Sequence, residues 1–271
     1  MRWTSARVER ARGGRARRRR RVAVREENGV RILHLGGDAI QSAMRLADPD
    51  ALELAYTQAM TAFLLFVPAP SDVLMVGLGG GSLARFIRRH VPAARTTVVE
   101  IDPRVLAAAR SLFDFRPKPG RLEVVLADAA DYVPAHPASA DVLLLDAFDD
   151  GESVASLCTP GFYGACRAAL REGGLLVANL IAGERRFPTQ LARIERTFGS
   201  RMLCLPAADR VNIIALAFES GPERWPIKAL RRRASVLGRR CGLPFEAFVG
   251  ELLAWNARTA SHLEPGPPLR P

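Results

Sequence analysis

From residue 72 onward, short apolar segments alternate with amphipathic ones, and this alternation constrains the fold more than any other feature. Segments such as "DVLMVGL", "DVLLLDAF" and "GLLVANLI" are continuously apolar, which indicates strands buried on both faces of a parallel sheet. Segments with helical spacing, including "PRVLAAARSLF" and "FPTQLARIERTF", lie between them. Five such strand–helix units, followed by the strand pair "RMLCLP" and "VNIIALAFES", predict an α/β fold with a Rossmann-like, seven-stranded, mostly parallel sheet.

The segments on either side of this pattern predict four parts of the chain. Two glycine-containing dipeptides, Asn28-Gly29 and Gly36-Gly37, separate short strand-like segments, which is a hairpin signal. "DPDALELAYTQAMTAFLLF" then predicts a linking helix that begins at its acidic residues. We expect a disordered Arg-rich tail (1–21), a small N-terminal β-region with the linking helix (22–66), the Rossmann-like domain (67–220), and C-terminal helices with a loose end (221–271).

The positive charge of the chain is concentrated at its N-terminus. The net charge is +11, and residues 1–21 hold ten arginines against one glutamate, so the rest of the chain carries only +2. A segment with so few apolar residues and so much like charge is predicted to be disordered. We expect at most weak, non-specific contact with polyanions through this tail.

Several classes of protein are disfavoured by what the sequence lacks. The four cysteines have no C-x-x-C spacing and the four histidines are scattered, which predicts reduced, mostly buried thiols and no metal site. The longest apolar stretch, "AMTAFLLFVPAP", is too short to span a bilayer. No apolar stretch typical of a secretory signal follows the arginines. We therefore expect a cytoplasmic protein without a membrane span.

The first predicted strand of the parallel sheet runs into a glycine-rich loop, "VGLGGGS". Gly77, Gly79 and Gly81 follow this strand, and a helix-like segment begins directly after them. In open parallel sheets ligands bind beyond the carboxyl ends of the strands, and glycines there let a nucleoside lie against the backbone. A structural tight turn would give a similar pattern, so the loop alone is weak support for a ligand site.

Acidic residues stand at the ends of the next three strands. Glu100 ends "VVE" and is placed to accept hydrogen bonds from both hydroxyls of a ribose. Asp128 follows the third strand and is placed to accept from an adenine amine, and Asp146 follows the fourth. One such acid is often only a helix cap. A glycine loop and three acids at four consecutive strand ends predict a nucleoside-binding site.

NAD and S-adenosylmethionine are the two candidate nucleosides. The glycine pattern nearly satisfies the dinucleotide fingerprint, with Ser82 where a third small residue is expected. No second lobe follows with residues suited to hydride transfer. The terminal strand pair is typical of a methyltransferase-type sheet, which favours S-adenosylmethionine or a derivative.

Between Gly29 and Glu219 the chain resembles the spermidine synthase (polyamine aminopropyltransferase) family. The resemblance is carried by "GVRILHLGGDAIQ", "YTQAM", the glycine loop, "VVEID", "LADAADYV" and above all "LLLDAFDDGESVASLCTPGFYGACRAALREGGLLVANL". It implies an aminopropyl transferase that uses decarboxylated S-adenosylmethionine and a small amine such as putrescine. Family members often form dimers or tetramers, so a homodimer or homotetramer is expected by resemblance.

The resemblance also implies a set of functional residues. Asp146 would be the catalytic carboxylate, with Asp149, Gln41 and Gln58 near the amine substrate. The residues expected at the nucleoside are Gly77, Gly79, Gly80, Gly81, Glu100, Asp128 and Ala129.

One departure from the family pattern keeps other functions open. Gly80 stands where the family normally carries an aspartate that faces the cationic end of decarboxylated S-adenosylmethionine and repels the carboxylate of the ordinary form. The alternatives are therefore a divergent S-adenosylmethionine-dependent methyltransferase acting on another small nucleophile, and a non-catalytic nucleoside-binding protein.

Overall fold

The computed structural model describes residues 22–35, 40–149 and 152–268. The predicted Arg-rich tail, the Gly36-Gly37 turn and the last three residues of the predicted loose end lie outside the described residues. Three antiparallel strands, β1 (Val22–Glu27), β2 (Val30–Leu35) and β3 (Ile40–Arg45), form a small N-terminal sheet. Asn28 and Gly29 both have positive φ and join β1 to β2 in a two-residue turn, which confirms this hairpin.

The linking helix is shorter than the sequence predicts. It consists of α1 (Ala55–Met60) followed directly by a 3₁₀ helix (Thr61–Leu65). Asp48, where the sequence predicts the helix to begin, instead forms a β-bridge with Arg45 and accepts a hydrogen bond from the backbone N–H of Ala51. Pairing with the end of β3 thus holds this acidic segment in a turn.

The rest of the chain forms the α/β domain and its C-terminal helices. The strands are β4 (Asp72–Val76), β5 (Arg95–Glu100), β6 (Leu122–Leu126), β7 (Ala140–Leu145), β8 (Phe148–Asp149), β9 (Glu152–Ser153), β10 (Leu170–Ile181), β11 (Met202–Pro206), β12 (Asn212–Phe218), β13 (Trp225–Pro226) and β14 (His262–Leu263). The helices are α2 (Ser82–His90), α3 (Pro103–Leu112), α4 (Ala129–Tyr132), α5 (Pro160–Ala169), α6 (Phe187–Phe198), α7 (Ile227–Cys241) and α8 (Phe245–Trp255), and a second 3₁₀ helix covers Ala155–Cys158.

The central sheet has the predicted size and direction. Its seven strands lie in the order β11-β12-β10-β7-β4-β5-β6. Six of these strands run in the same direction, and β12 runs opposite to them. This reversed strand near one edge gives a methyltransferase-type sheet, so the predicted fold class is confirmed.

The core lies on both faces of this sheet. Alternate residues of β7 point into two different clusters, with Val142 and Leu144 in one and Leu143 and Leu145 in the other. The first cluster contains buried residues of α1, α2, α3, α7 and α8, and the second contains those of α4, α5 and α6. The linking helix and the C-terminal helices therefore share one core with the sheet.

The helices and the cysteines can be compared with the predictions about a membrane span and buried thiols. Within the described ranges, no helix combines the length and the apolar character needed to cross a bilayer. The four cysteines are unpaired; Cys158, Cys166 and Cys204 are buried and Cys241 is half-buried.

Candidate active site

A cavity lies where β4, β5, β6 and β7 end. The loops after these four strands line it, and the β8–β9 region and the second 3₁₀ helix contribute Phe148, Val154 and Leu157. The chain leaves β4 toward β5 and β6 on one side, while β7 and β10 lie on the other. The cavity is therefore at the switch point of the sheet, where ligands bind in open α/β folds.

Two of the four loop glycines face the cavity, and three are fixed by contacts within the protein. Gly77 and Gly79 line the cavity. At Gly77, with φ of +96°, an added Cβ would lie 2.1 Å from the backbone oxygen of Asp146. Added Cβ atoms at Gly80 and Gly81 would lie 2.8 Å and 2.4 Å from the rings of Phe113 and Phe115, respectively. Close packing of the loop thus explains most of its glycines.

A buried arginine on α2 anchors this loop. Arg85 is 1% exposed, and its guanidinium donates to the backbone oxygens of Gly80 (2.8 Å), Phe113 (2.6 Å) and Pro49 (2.8 Å). Burial lowers the pKa of Arg85, and the nearby Asp50 carboxylate opposes that effect. One side chain therefore ties the loop to the end of α3 and to the segment after β3.

Glu100 lines the cavity at the end of β5. Its Oε2 accepts from the backbone N–H of Leu78 at 3.0 Å, and its Oε1 accepts from that of Asp102 at 2.8 Å. Burial raises the pKa of Glu100, and these backbone donors offset part of the rise. Asp102 also lines the cavity and caps α3 by accepting from the N–H of Arg104 at 2.9 Å.

Asp128 and Ala129 line the cavity at the end of β6. The Asp128 carboxylate caps α4 by accepting from the backbone N–H of Ala130 at 2.9 Å. Asp128 thus has the capping contact that a strand-end acid commonly has, and it also faces the cavity.

Asp146, the predicted catalytic carboxylate, lies directly after β7 in a small polar network. Its Oδ1 accepts from the Asn179 side-chain amide at 2.9 Å. The Oδ1 of Asn179 accepts from the amide of Asn212 at 2.8 Å. Burial raises the pKa of Asp146 to about 6, although hydrogen bonds from Asn179 and Tyr56 act to lower it. This carboxyl is therefore able to exchange protons near neutral pH.

The three residues predicted at the amine substrate lie in different surroundings. Gln41 of β3 lines the cavity, and its backbone oxygen accepts from the Tyr56 hydroxyl at 3.3 Å. The Gln58 amide donates to the backbone oxygen of Leu52 at 2.7 Å, and Gln58 is outside the cavity lining. Asp149 ends β8, and its side chain lies outside the described part of the molecule.

The charged side chains of the cavity are all acidic. Among the described lining residues, Glu100, Asp102, Asp128 and Asp146 are carboxylic acids, and none is a lysine, arginine or histidine. Such a lining favours a cationic ligand and disfavours a carboxylate or phosphate. In the described part of the chain, no group of three or more His, Cys, Asp or Glu residues is placed to hold a metal ion.

Sequence reasoning missed four residues of this site: Tyr56, Asp102, Asn179 and Asn212. For Asn179 and Asn212 a signal existed, because each is a polar residue in or beside a continuously apolar strand. A buried amide needs hydrogen-bond partners, so a polar residue in such a strand indicates a specific contact.

The seven-stranded sheet with one reversed strand and a cavity at its switch point places the protein in the methyltransferase-type α/β class. The sequence model of the spermine/spermidine synthase domain matches residues 53–183. A polyamine aminopropyltransferase from Chromobacterium violaceum is 41% identical over 242 residues, which cover 89% of this chain and 93% of that protein. The chain belongs to the polyamine aminopropyltransferase family, and it is a transferase of the aminopropyl-transfer type.

Solved structures confirm the fold. A probable spermidine synthase from Corynebacterium glutamicum superimposes with a TM-score of 0.67 at 21% identity, covering 93% of this chain and 98% of that one. Human methyltransferase-like protein 13 in complex with SAH has a TM-score of 0.63 at 25% identity, covering 70% of this chain and 94% of that one. The same architecture is thus found in a probable spermidine synthase and in a methyltransferase-like protein.

Proposed function

We propose that the protein transfers the aminopropyl group of decarboxylated S-adenosylmethionine to a small amine such as putrescine. The observation that carries this proposal is that every charged side chain among the described residues lining the cavity is acidic. Decarboxylated S-adenosylmethionine has a sulfonium and an ammonium but no carboxylate, and a diamine adds two further ammonium groups. Carboxylates at short range stabilise such ligands, whereas the carboxylate of ordinary S-adenosylmethionine would be repelled.

The reaction requires an amine that has lost its proton. An alkyl ammonium has a pKa of about 10 and no lone pair, so the site must first accept a proton from it. The neutral amine nitrogen then forms a bond to the propyl carbon next to sulfur, the carbon–sulfur bond breaks, and sulfur keeps the electron pair in methylthioadenosine. In this proposal Asp146 accepts the proton, and its pKa of about 6 suits that role near neutral pH.

The remaining roles follow the positions of the side chains. Glu100 and Asp128 stand at the ends of β5 and β6, on the other side of β4 from Asp146, and are proposed to hold the ribose and the adenine, respectively. Gln41, on the β3 side, is proposed to contact the amine, together with Asp149. Gln58 would need to leave its bond to Leu52 in order to take part.

Calorimetry and turnover test this proposal together. The protein should bind decarboxylated S-adenosylmethionine and methylthioadenosine more tightly than ordinary S-adenosylmethionine, and it should form spermidine and methylthioadenosine from putrescine. Asp146→Asn should lower kcat by about 100-fold or more while leaving methylthioadenosine affinity nearly unchanged. Asp131→Asn removes an exposed acid of α4 outside the cavity and serves as the control. Preference for ordinary S-adenosylmethionine would contradict the proposal.

Methyl transfer is the second candidate, and Gly80 is the observation that favours it. A Cβ there would lie 2.7 Å from Ser42 Oγ and 2.8 Å from the ring of Phe113, so this position has no room for an acidic side chain. The loop therefore has no carboxylate at position 80 to repel that of ordinary S-adenosylmethionine. In the assay above, formation of S-adenosylhomocysteine from S-adenosylmethionine would identify methyl transfer.

Four further features are proposed from the sequence and the family resemblance. The protein is proposed to form a homodimer or homotetramer, which light scattering would measure. Its Arg-rich tail is proposed to make only weak, salt-sensitive contact with polyanions. A cytoplasmic location is also proposed. The boundaries of the Rossmann-like domain are proposed to lie near residues 66 and 220.

A further inference from the structure

Two buried asparagines lie in line behind Asp146. Asn179 is on β10 and Asn212 begins β12; they are 5% and 8% exposed. In the antiparallel register Asn179 lies opposite Ile214, so Asn212 is its diagonal neighbour on the same face of the sheet. The sheet thereby brings together two amides that are 33 residues apart in sequence.

The chemistry of the carboxylate fixes the direction of this chain of hydrogen bonds. Ionised Asp146 can only accept, so Asn179 must turn its NH₂ toward it, as it does at 2.9 Å. The amide oxygen of Asn179 then points away and needs a donor of its own. The NH₂ of Asn212 supplies that donor at 2.8 Å. If Asn212 could not donate, Asn179 would lose the contact that selects this orientation.

We propose that Asn179 is a positioning residue for Asp146, and that Asn212 acts one step behind it by fixing the orientation of the Asn179 amide. Together they hold one carboxylate oxygen in place and stabilise the ionised form of Asp146 that accepts the proton of the substrate amine. This inference rests on the proposed function, and it adds two residues that do not line the cavity.

Other titratable groups face Asp146 from the linking helix and across the cavity. Tyr56 of α1 donates a hydrogen bond to Asp146, and this bond lowers the pKa of Asp146 as the bond from Asn179 does. Glu100, Asp102 and Asp128 share the cavity, and their negative charges disfavour ionisation of Asp146. The asparagine pair therefore supplies stabilisation that the acidic cavity does not.

The pH dependence of kcat/KM tests this role. In Asn179→Leu the acid limb of the kcat/KM profile should move up by about one pH unit, because ionised Asp146 loses the hydrogen-bond donor that stabilises it. Asn212→Leu should move it in the same direction by less. The double variant should match Asn179→Leu alone, because Asn212 acts only through Asn179. Asn212→Ser, which keeps a hydroxyl donor, should restore part of the shift.

The matched control is Asn256→Leu. Asn256 is also a buried amide, but it bonds to the backbone of Cys204 and Leu252, so its loss should leave the acid limb in place. The proposal would be overturned if the acid limb of the kcat/KM profile stayed in place in folded Asn179→Leu and Asn212→Leu. It would also be overturned if the two shifts added in the double variant.

A second readout separates this inference from the proposed function. The ionisation of Asp146 can be followed without turnover, from the pH dependence of Tm for each variant with and without Asp146→Asn. If no variant and no wild-type protein transfers an aminopropyl group, the proposed function is wrong, yet this titration still tests the asparagine pair. If the titration of Asp146 is the same in wild type and Asn179→Leu, the inference is wrong whatever the reaction.

Discussion

Replacing Arg85 with methionine should cost more stability than replacing any neighbouring surface arginine. The guanidinium donates to the backbone oxygens of Pro49, Gly80 and Phe113, and methionine leaves all three without that donor. A buried acceptor without a partner costs about 1–3 kcal/mol. Allowing for relaxation and water entry, the free energy of unfolding should fall by about 3–5 kcal/mol. For a chain of this size, Tm should then fall by about 10 °C.

Arg89→Met is the matched control for that measurement. Arg89 lies one turn further along α2, is 54% exposed, and pairs with Asp48 and Asp50 at 3.8 Å and 3.3 Å. Exposed ion pairs contribute about 0–1 kcal/mol, so this variant should unfold within about 3 °C of wild type. Differential scanning calorimetry would measure both. Equal Tm values for the two variants would refute the reasoning that Arg85 anchors the glycine loop.

Two further predictions concern the cavity itself. Gly77→Ala should abolish methylthioadenosine binding, measured by thermal shift, because its Cβ would meet the Asp146 carbonyl. Gly164→Ala should retain it, because Gly164 is exposed on α5 and an added Cβ there has nothing within 4 Å. Because the folded-state pKa of Asp146 is raised to about 6, the contribution of this group to stability should fall as pH rises from 4 to 7. The free energy of unfolding of Asp146→Asn should therefore rise relative to that of wild type over this range, by about 2–3 kcal/mol at pH 7 and by almost nothing at pH 4. A difference in Tm that stayed constant with pH would contradict this.

The sequence was sufficient for features that depend on local pattern. The apolar runs of β4 and β7 predict buried parallel strands, because burial on both faces removes the usual alternation. The sequence also predicts that the acids at the ends of strands β5 to β7 lie close together, because parallel strands end at the same edge of the sheet. Glu100, Asp128 and Asp146 do line one cavity.

Features that depend on tertiary contacts were beyond sequence reasoning. The sequence predicts that the linking helix begins near Asp48, but α1 begins at Ala55. Asp48 instead pairs with Arg45 at the end of β3, and the local sequence pattern gives no sign of this contact. The glycine pattern predicts space for a ligand, whereas Gly80 and Gly81 are needed because a Cβ at either position would meet the ring of Phe113 or Phe115. Asn179 and Asn212 became a functional pair only once the register of β10 and β12 was known.

The linking helix couples two parts of the molecule that are distant in sequence. Its last residue and the 3₁₀ helix after it are fully buried in the main core, while Tyr56 near its start contacts both Asp146 and the backbone of Gln41 in β3. A substrate that tightened the contacts of Asp146 would thereby also restrain the small N-terminal sheet. Because such coupling is reciprocal, a ligand that restrained this sheet would raise the affinity for substrate by the same factor.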